Sequence, residues 1–214
     1  MPSAHRPLTH SLSLRVAWFL LAPLLLAAFT LTAAPARCAS IERLPPASGV
    51  SADGSIVVGD SSNSAGNQEA FRWIGGTMTG LGFLADTGHH LFSIASGVSA
   101  DGSIVVGYSF NNAGDHEAFR WVSDGTPTGG TMTGLGFLDD TGHHLFSIAS
   151  GVSADGSIVV GYSFNNAGDH EAFRWIGGTM TGLGFLDDTG HYLSSSASGV
   201  SADGSIVVGY SFNN

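Results

Sequence analysis

The residues of this sequence that could hold a metal ion lie in a short loop that occurs three times. The second copy spans residues 139–144 and reads Asp-Asp-Thr-Gly-His-His. Carboxylates in a glycine loop suit Ca²⁺, and paired histidines suit Zn²⁺ or Cu²⁺. The first and third copies lose ligands at Ala85 and Tyr192, and none of the loops has the spacing of a calcium loop. We therefore expect polar connecting loops that bind no metal and no other cofactor.

Two His-Glu pairs, His116-Glu117 and His170-Glu171, have the side chains needed for general acid–base catalysis. The sequence has neither an HExxH motif nor a Gly-x-Ser-x-Gly nucleophile elbow. The units that contain the pairs are nearly identical, so no unit holds a private set of reactive residues. We expect a protein that is not an enzyme.

An arginine recurs between Phe and Trp in every complete unit. It could bind a ligand on each unit, but a sparse charge used identically in each copy favours a structural ion pair with a turn aspartate. The candidate pairs join Arg72, Arg120 and Arg174 to Asp53, Asp101, Asp155 or Asp203. The repeated positions for which we predict a structural role are Asp101, Gly102, Phe119, Arg120, Trp121, Asp155, Phe173, Arg174 and Trp175.

Aromatic residues follow the second strand predicted in each of the later units. They could stack on sugars at the rim of the fold, although packing within or between units is the more common role of such residues. These residues are Tyr108, Phe110, Tyr162, Phe164, Tyr210 and Phe212.

The elements that position these residues belong to one repeated unit. A block beginning Ala-Ser-Gly-Val-Ser-Ala-Asp-Gly starts at Ala47, Ala95, Ala149 and Ala197. The complete units are 47–94, 95–148 and 149–196, a partial unit covers 197–214, and the second unit has extra residues at the turn before Met132. Internal repetition at this period is typical of propellers and solenoids.

Each unit predicts four short antiparallel strands. In the second unit we place them at 96–99, 103–108, 117–121 and 131–137, with a type I′ turn at Asp101-Gly102. Alternation puts Phe119 and Trp121 on one face of the third strand and Ala118 and Arg120 on the other. We predict an all-β repeat protein of propeller-like blades that is open or incomplete, with a β-solenoid as the alternative.

The first 38 residues have the order of a secretory signal peptide. A weakly basic start is followed by an apolar run at 16–34 and then by small residues. Retention of the run as a membrane anchor is the alternative, because its length just suffices to span a bilayer. Residues 39–46 form a short linker before the repeat domain at 47–214. We expect an extracellular or cell-surface protein, with the periplasm as the other compartment that export would reach.

Composition limits the classes of partner. The chain has 214 residues, no lysine, 11% charged residues and a net charge of −10. Loss of the leader removes three arginines and no acid, which makes the charge about −13. A strongly acidic chain argues against binding to nucleic acid. A single cysteine, Cys38, excludes a disulfide framework.

The unit resembles the bacterial extracellular HAF repeat. That pattern runs close to Val-Ser-x-Asp-Gly-x-x-Val-Val-Gly, His/Glu-Ala-Phe-x-Trp and Met-x-x-Leu-Gly, and the blocks at 98–107, 117–121 and 132–136 match it in order. Glu69, Glu117 and Glu171 replace the histidine that names the family, while His116 and His170 stand one place earlier. The resemblance implies secretion and implies no known catalytic activity.

Two functions of different class follow. The first is a secreted, non-catalytic binding or scaffold module whose partner is an extracellular protein or glycan. The alternative is a self-assembling structural or adhesive surface protein that associates through unpaired sheet edges, including a fragment of a longer repeat protein.

Overall fold

The computed structural model describes residues 46–85, 91–139, 145–186 and 193–212, all of them in strands, turns or loops. The predicted signal peptide and most of the linker lie outside the described residues. Within the described ranges no helix is long and apolar enough to cross a membrane. The fourteen strands are β1 (Ala47–Val50), β2 (Ile56–Ser62), β3 (Gln68–Ile74), β4 (Thr77–Gly80), β5 (Ser93–Val98), β6 (Ile104–Phe110), β7 (His116–Ser123), β8 (Gly130–Gly134), β9 (Ser147–Val152), β10 (Ile158–Phe164), β11 (His170–Ile176), β12 (Thr179–Gly182), β13 (Ser194–Val200) and β14 (Val207–Phe212).

The strands form three four-stranded antiparallel sheets, which we name blade 1 (β1–β4), blade 2 (β5–β8) and blade 3 (β9–β12), followed by the β13–β14 hairpin. Strands neighbour one another in chain order within each blade. One parallel bridge, between His170 and Ser194, links β11 of blade 3 to β13. The prediction of four-stranded antiparallel units is confirmed. The solenoid alternative is wrong, because each unit completes its own antiparallel sheet.

The predicted strand positions hold with shifted ends. In blade 2 the first strand begins at Ser93 rather than Ser96, and the third extends from His116 to Ser123. The extra residues of the second unit lie between β7 and β8, where the pair Ser123 and Gly130 closes the longer loop. Insertions at such loops leave the ladder of the sheet unchanged.

The predicted type I′ turn is wrong. That turn needs a positive φ at both central residues, which were predicted to be Asp101 and Gly102. Of these two residues only Gly102 has a positive φ, at +72°. The N–H of Gly102 donates to the carbonyl of Ser99 at 3.0 Å, so Ala100 and Asp101 are the central residues. The turn is wider than a two-residue hairpin because Ser99 also donates its N–H to the carbonyl of Ile104.

The hydrophobic cores lie between blades. Phe119 and Trp121 pack into the core shared with blade 1, whereas Ala118 packs into the core shared with blade 3. The alternation predicted for the third strand is therefore confirmed. Val105 and Val106 are fully buried in opposite cores, which explains the unbroken apolar run of the second strand. Blade 2 is thus covered on both faces and depends on both neighbouring blades for burial.

The first strands of successive blades lie side by side with glycines at their contacts, where an added Cβ would stand at ordinary van der Waals distance. A Cβ atom on Gly151 would lie 3.4 Å from the Cα of Gly199, and one on Gly97 would lie 3.8 Å from the Cα of Gly151. The adjoining turns are joined by backbone hydrogen bonds of 2.9–3.0 Å. In each bond the N–H of one turn alanine donates to the carbonyl of the alanine in the next turn, in the order Ala52, Ala100, Ala154 and Ala202.

Candidate functional site

The aromatic residues that follow the second strands gather where one blade meets the next. In blade 2 the rings of Phe110 and His116 lie 4.4 Å apart between centroids, and Tyr108 lies 5.5 Å from the same imidazole. Phe146, which precedes the first strand of blade 3, bridges to His116 through the backbone and lies 5.4 Å from its ring. The sequence predicted that the aromatic residues follow the second strand, whereas the structure places Tyr108 and Phe110 within β6. The sequence did not associate them with the histidine.

The junction between blades 2 and 3 forms an open cleft, which we call the rim cleft. Its lining includes Phe110, Asp115, His116, Phe146 and Phe164. Its volume of about 450 Å³ falls within the range of sites for small molecules. Phe146 connects the two blades because its ring also lies 5.4 Å from that of Phe164. The cleft therefore combines three apolar rings with one imidazole and one carboxylate.

This set of residues occurs at one junction in the described parts of the chain. At the junction of blades 1 and 2, Ser62 and Gln68 stand at the positions of Phe110 and His116. At the junction of blade 3 and the β13–β14 hairpin, Ser194 pairs with His170 in the place of Phe146. The junctions therefore differ in their residues although the units are nearly identical, because each junction combines residues of two different units.

The His-Glu pair does not form an acid–base dyad in the described geometry. The imidazole of His116 lies among aromatic rings, and burial lowers its pKa from the ordinary value while the charge of Asp115 opposes that shift. The carboxylate of Glu117 accepts hydrogen bonds from Asn111 Nδ2 and Gly136 N, both at 3.0 Å. Glu69 and Glu171 make equivalent contacts in their own blades. The glutamate therefore joins two loops of its blade.

Two of the three repeated arginines bond the turn that follows in the chain. Arg120 Nε donates to the carbonyl of Gly156 at 3.0 Å, and Arg174 Nη2 donates to that of Gly204 at 3.1 Å. The prediction named the right turn and the wrong acceptor, because the arginine bonds the glycine that follows the aspartate. Burial lowers the pKa of Arg120, and the charge of Asp155 opposes that shift. The charged partners are thus near one another without a direct hydrogen bond between them.

The turn aspartates hold their own loops. Asp155 Oδ1 accepts hydrogen bonds from Ser153 Oγ at 2.6 Å and from Ser157 N at 3.0 Å. These bonds favour the ionised carboxylate and lower its pKa from 3.8 to about 2. Hydrogen bonds to neighbouring serines lower the pKa of Asp53 and Asp203 to the same value. The predicted structural role of the turn aspartate is consistent with these contacts.

A second cleft lies between blades 1 and 2, against the longer loop of blade 2. Its lining includes Arg72, Ser103 and Thr126. Arg72 is 7% exposed, its Nε has no hydrogen-bond partner, and its guanidinium lies 5.6 Å from the ring centroid of Trp121. Burial lowers the pKa of Arg72, and the nearby charge of Asp101 opposes that shift. An anion in this cleft would meet that carboxylate as well as the arginine, so we do not favour the cleft as an anion site.

The candidate metal loops fall almost entirely outside the described residues. Residues 86–90, 140–144 and 187–192 belong to this undescribed part, and Asp139 is the one acid of the second loop that the structure describes. Among described residues, no group of three or more His, Cys, Asp or Glu side chains is placed to hold a metal ion.

Buried serines are the structural residues that the sequence interpretation missed. Ser147 Oγ accepts a hydrogen bond from Ala118 N at 2.9 Å and donates to the carbonyl of Gly136 at 2.7 Å. Ser93 and Ser195 make the same pair of bonds at the other two junctions. Their repetition was visible in the sequence, but they lie at the start of strands that we predicted to begin later, so nothing gave a reason to expect their burial.

Comparisons with known proteins identify the fold and no family. No family model and no curated protein matches the chain. Among solved structures, TolB of Agrobacterium tumefaciens aligns with a TM-score of 0.51 at 16% identity over 81% of this chain and 60% of the other. TolB of Acinetobacter baumannii aligns with a TM-score of 0.44 at 16% identity over 77% and 42%.

The chain thus spans less than two thirds of each of these two solved chains. TolB is a protein of the β-propeller type, so the likeness to the first structure supports propeller-like blades for this chain. The blades are β-propeller-like and do not close a ring within the described residues.

Proposed function

We propose that this chain is an exported, non-catalytic binding module and that the rim cleft binds a neutral glycan. The observation that carries the proposal is the combination of Phe110, Phe146 and Phe164 with Asp115 and His116 in one open cleft. Apolar surfaces with a few polar groups are the usual lining of sites for small ligands. The phenyl rings would pack against the C–H faces of a sugar, while the carboxylate and imidazole would bond its hydroxyls.

The support for a rigid site comes from the blades on either side. His116 and Phe146 bridge the two blades through the backbone, and Ser147 bonds blade 2 within one residue of Phe146. The backbone of Asp115 is fixed as well, because its N–H donates to Asn111 Oδ1 and its carbonyl accepts from Asn111 N, both at 3.0 Å. Groups held in this way lose little freedom when a ligand binds.

The charge of the chain favours a neutral ligand over an acidic one. The sequence has a net charge of −10, and the rim cleft contains the carboxylate of Asp115. Like charges raise the free energy of binding an anion at such a surface. The proposal therefore excludes nucleic acid as the ligand. Export to the extracellular space or cell surface, with the periplasm as the alternative, is proposed from the signal-peptide pattern of residues 1–38.

A glycan microarray followed by calorimetric titration of the purified chain tests this proposal. We expect at least one neutral oligosaccharide to bind saturably and Asp115→Ala to weaken that binding at least tenfold. Asp169→Ala is the matched control, because Asp169 has the equivalent place beside His170 at a junction where Ser194 replaces Phe146. Equal affinities of the two variants, or no binding of any neutral glycan, would contradict the proposal.

Self-assembly is the second candidate function, and a separate observation favours it. β14 has β13 on one side and no partner strand among the described residues on the other. Its apolar side chains are open to solvent, with Val208 59% and Phe212 63% exposed. Exposed apolar edge strands favour association between chains. Sedimentation at increasing concentration measures it: growing polymers would support assembly, and a constant molecular mass would exclude it.

A further inference from the structure

The unpaired edge of β14 has the sequence of a strand that is paired on both sides in blades 2 and 3. Residues 206–212 read Ile-Val-Val-Gly-Tyr-Ser-Phe, as do β6 and β10. In blade 2 that strand pairs with β7 so that Val105 faces Trp121, Gly107 faces Phe119 and Tyr108 faces Ala118. Blade 3 has the same register between β10 and β11. The edge of β14 is therefore a template for one kind of strand.

The chain also has an open site for an apolar side chain of such a strand, which lies beside Leu183 and which we call the socket. Leu183 follows β12 of blade 3 at the position of Leu81 and Leu135. Leu81 and Leu135 are each 7% exposed, because they lie in cores that contain Phe119 and Phe173 from the next blade. Leu183 is 46% exposed. The described part of the third core holds no aromatic side chain, so the leucine lacks the ring that covers it elsewhere.

A groove occupies the place of the missing ring. Leu183, Leu186, Val207 and Tyr210 line it, and it has a volume of about 260 Å³. This volume is many times that needed for one water molecule. Its walls come from the exit of blade 3 and from β14. The equivalent elements, the exit of the preceding blade and the second strand, hold the third strand in blades 2 and 3. The groove thus continues an interface that the chain already builds twice.

We propose that this groove is a receptor for an extended hairpin of the same repeat, with the sequence Glu-Ala-Phe-Arg-Trp in its first strand. The incoming strand would add to the edge of β14 through backbone hydrogen bonds, and its Phe would fill the socket beside Leu183. Strand addition of this kind takes affinity from the main chain and specificity from alternate side chains. The receptor does not rest on glycan binding at the rim cleft, which lies at another junction.

The expected preference for this partner follows from the two complete cores. A Phe buried as Phe119 and Phe173 are, at 0% exposure, would cover Leu183 and the apolar groups of the third core. A strand without the Phe would keep the backbone bonds and leave the socket unfilled. We therefore expect recognition of the repeat sequence rather than of extended peptides in general.

A synthetic peptide with the sequence of residues 170–182 tests the receptor. Fluorescence anisotropy of the labelled peptide should show saturable binding to the purified chain, and a peptide with Phe173→Ser should bind at least tenfold more weakly. In the protein, Leu183→Asp should weaken binding to a similar extent. Val50→Asp is the matched control, because Val50 is 59% exposed on β1, far from β14 in the order of the blades.

A second measurement locates the bound peptide. A photoreactive phenylalanine analogue at the position of Phe173 should crosslink to Leu183 or Val207, as mass spectrometry of the digested complex would show. Crosslinks elsewhere, equal binding of the Phe173→Ser peptide, or no binding at all would each overturn the receptor. A chain that stays monomeric yet binds the peptide would exclude self-assembly and retain the receptor. A chain that polymerises, and whose polymerisation the peptide does not inhibit, would support self-assembly and exclude the receptor.

Discussion

Arg120 Nε donates a hydrogen bond to the carbonyl oxygen of Gly156, 3.0 Å away in the turn between β9 and β10 of the next blade. The aspartate beside that glycine, Asp155, is occupied with Ser153 and Ser157. The aspartate and the arginine of the repeat therefore have different structural roles. The aspartate fixes the shape of the turn, and the arginine of the preceding blade binds the main chain that the aspartate has fixed.

Replacement of Arg120 by Met should destabilise the protein by about 1–3 kcal/mol, because the substitution removes a hydrogen bond from a charged donor and keeps most of the apolar stem. Chemical denaturation of the variant and the parent chain measures the difference in free energy of unfolding. An unchanged denaturation midpoint would show that the bond to Gly156 contributes nothing to stability.

Replacement of Ser147 by Ala should cost about 1–3 kcal/mol, since it leaves the N–H of Ala118 and the carbonyl of Gly136 without their buried partner. Ser64→Ala is the control, because Ser64 is exposed on a loop of blade 1. Thermal unfolding should separate the two variants by several degrees. Equal melting temperatures would argue against the serine as a connection between blades.

Alanine substitutions at two glycines with similar φ angles distinguish the cost of backbone strain from the cost of a steric clash. Gly102 has φ +72°, and a Cβ there would lie 2.1 Å from Ile56 Cδ1 of blade 1, whereas Gly114 has φ +89° and open space around it. Both Ala variants should lose about 1–2 kcal/mol from the backbone conformation. Gly102→Ala should lose more, as urea denaturation would show, because Ile56 must move. A larger loss at Gly114 would contradict this arrangement of blades.

Acid should weaken the turns through their aspartates. The pKa of Asp155 is about 2 in the folded chain against an ordinary value of 3.8. A depressed pKa gives stability that is complete above pH 3.8 and is lost as the pH falls towards 2. Urea denaturation between pH 2 and 5 should show a shallower pH dependence for Asp155→Asn than for the parent chain. An identical slope would place the acid sensitivity in other groups.

His116 should make stability depend on pH in a higher range. Burial lowers its pKa below 6.5, so the unfolded chain binds the proton more readily than the folded chain. Its effect is to lower stability as the pH falls below about 6.5. His116→Gln should flatten that part of the profile, because Gln68 stands at this position in blade 1 and does not titrate. Denaturation midpoints at pH 5 and 8 measure the effect, and a steeper profile in the variant would refute it.

The sequence predicted the blades well because the information is local and repeated. Alternation along β7 assigned Phe119 and Ala118 to opposite faces, and the glycine turns marked the strand ends. The contacts of Arg120 were harder to predict, since an aspartate in the right turn suggested an ion pair and its carboxylate is already bonded to serines. The rim cleft was not predictable from a single unit, because it joins Phe164 of the third unit to His116 and Phe146 of the second.

The hydrogen bonds between turn alanines all run in one direction along the chain. The amide that reports the opening of blade 2, of blade 3 or of the β13–β14 hairpin therefore lies in the preceding blade. The amide of Ala52 is bonded by blade 2, that of Ala100 by blade 3 and that of Ala154 by the β13–β14 hairpin. Hydrogen exchange at the amide of Ala154 therefore measures how often that hairpin opens, although Ala154 itself lies in blade 3. Opening of each successive element is recorded one blade upstream, so three single amides resolve local unfolding that a global melting curve would merge.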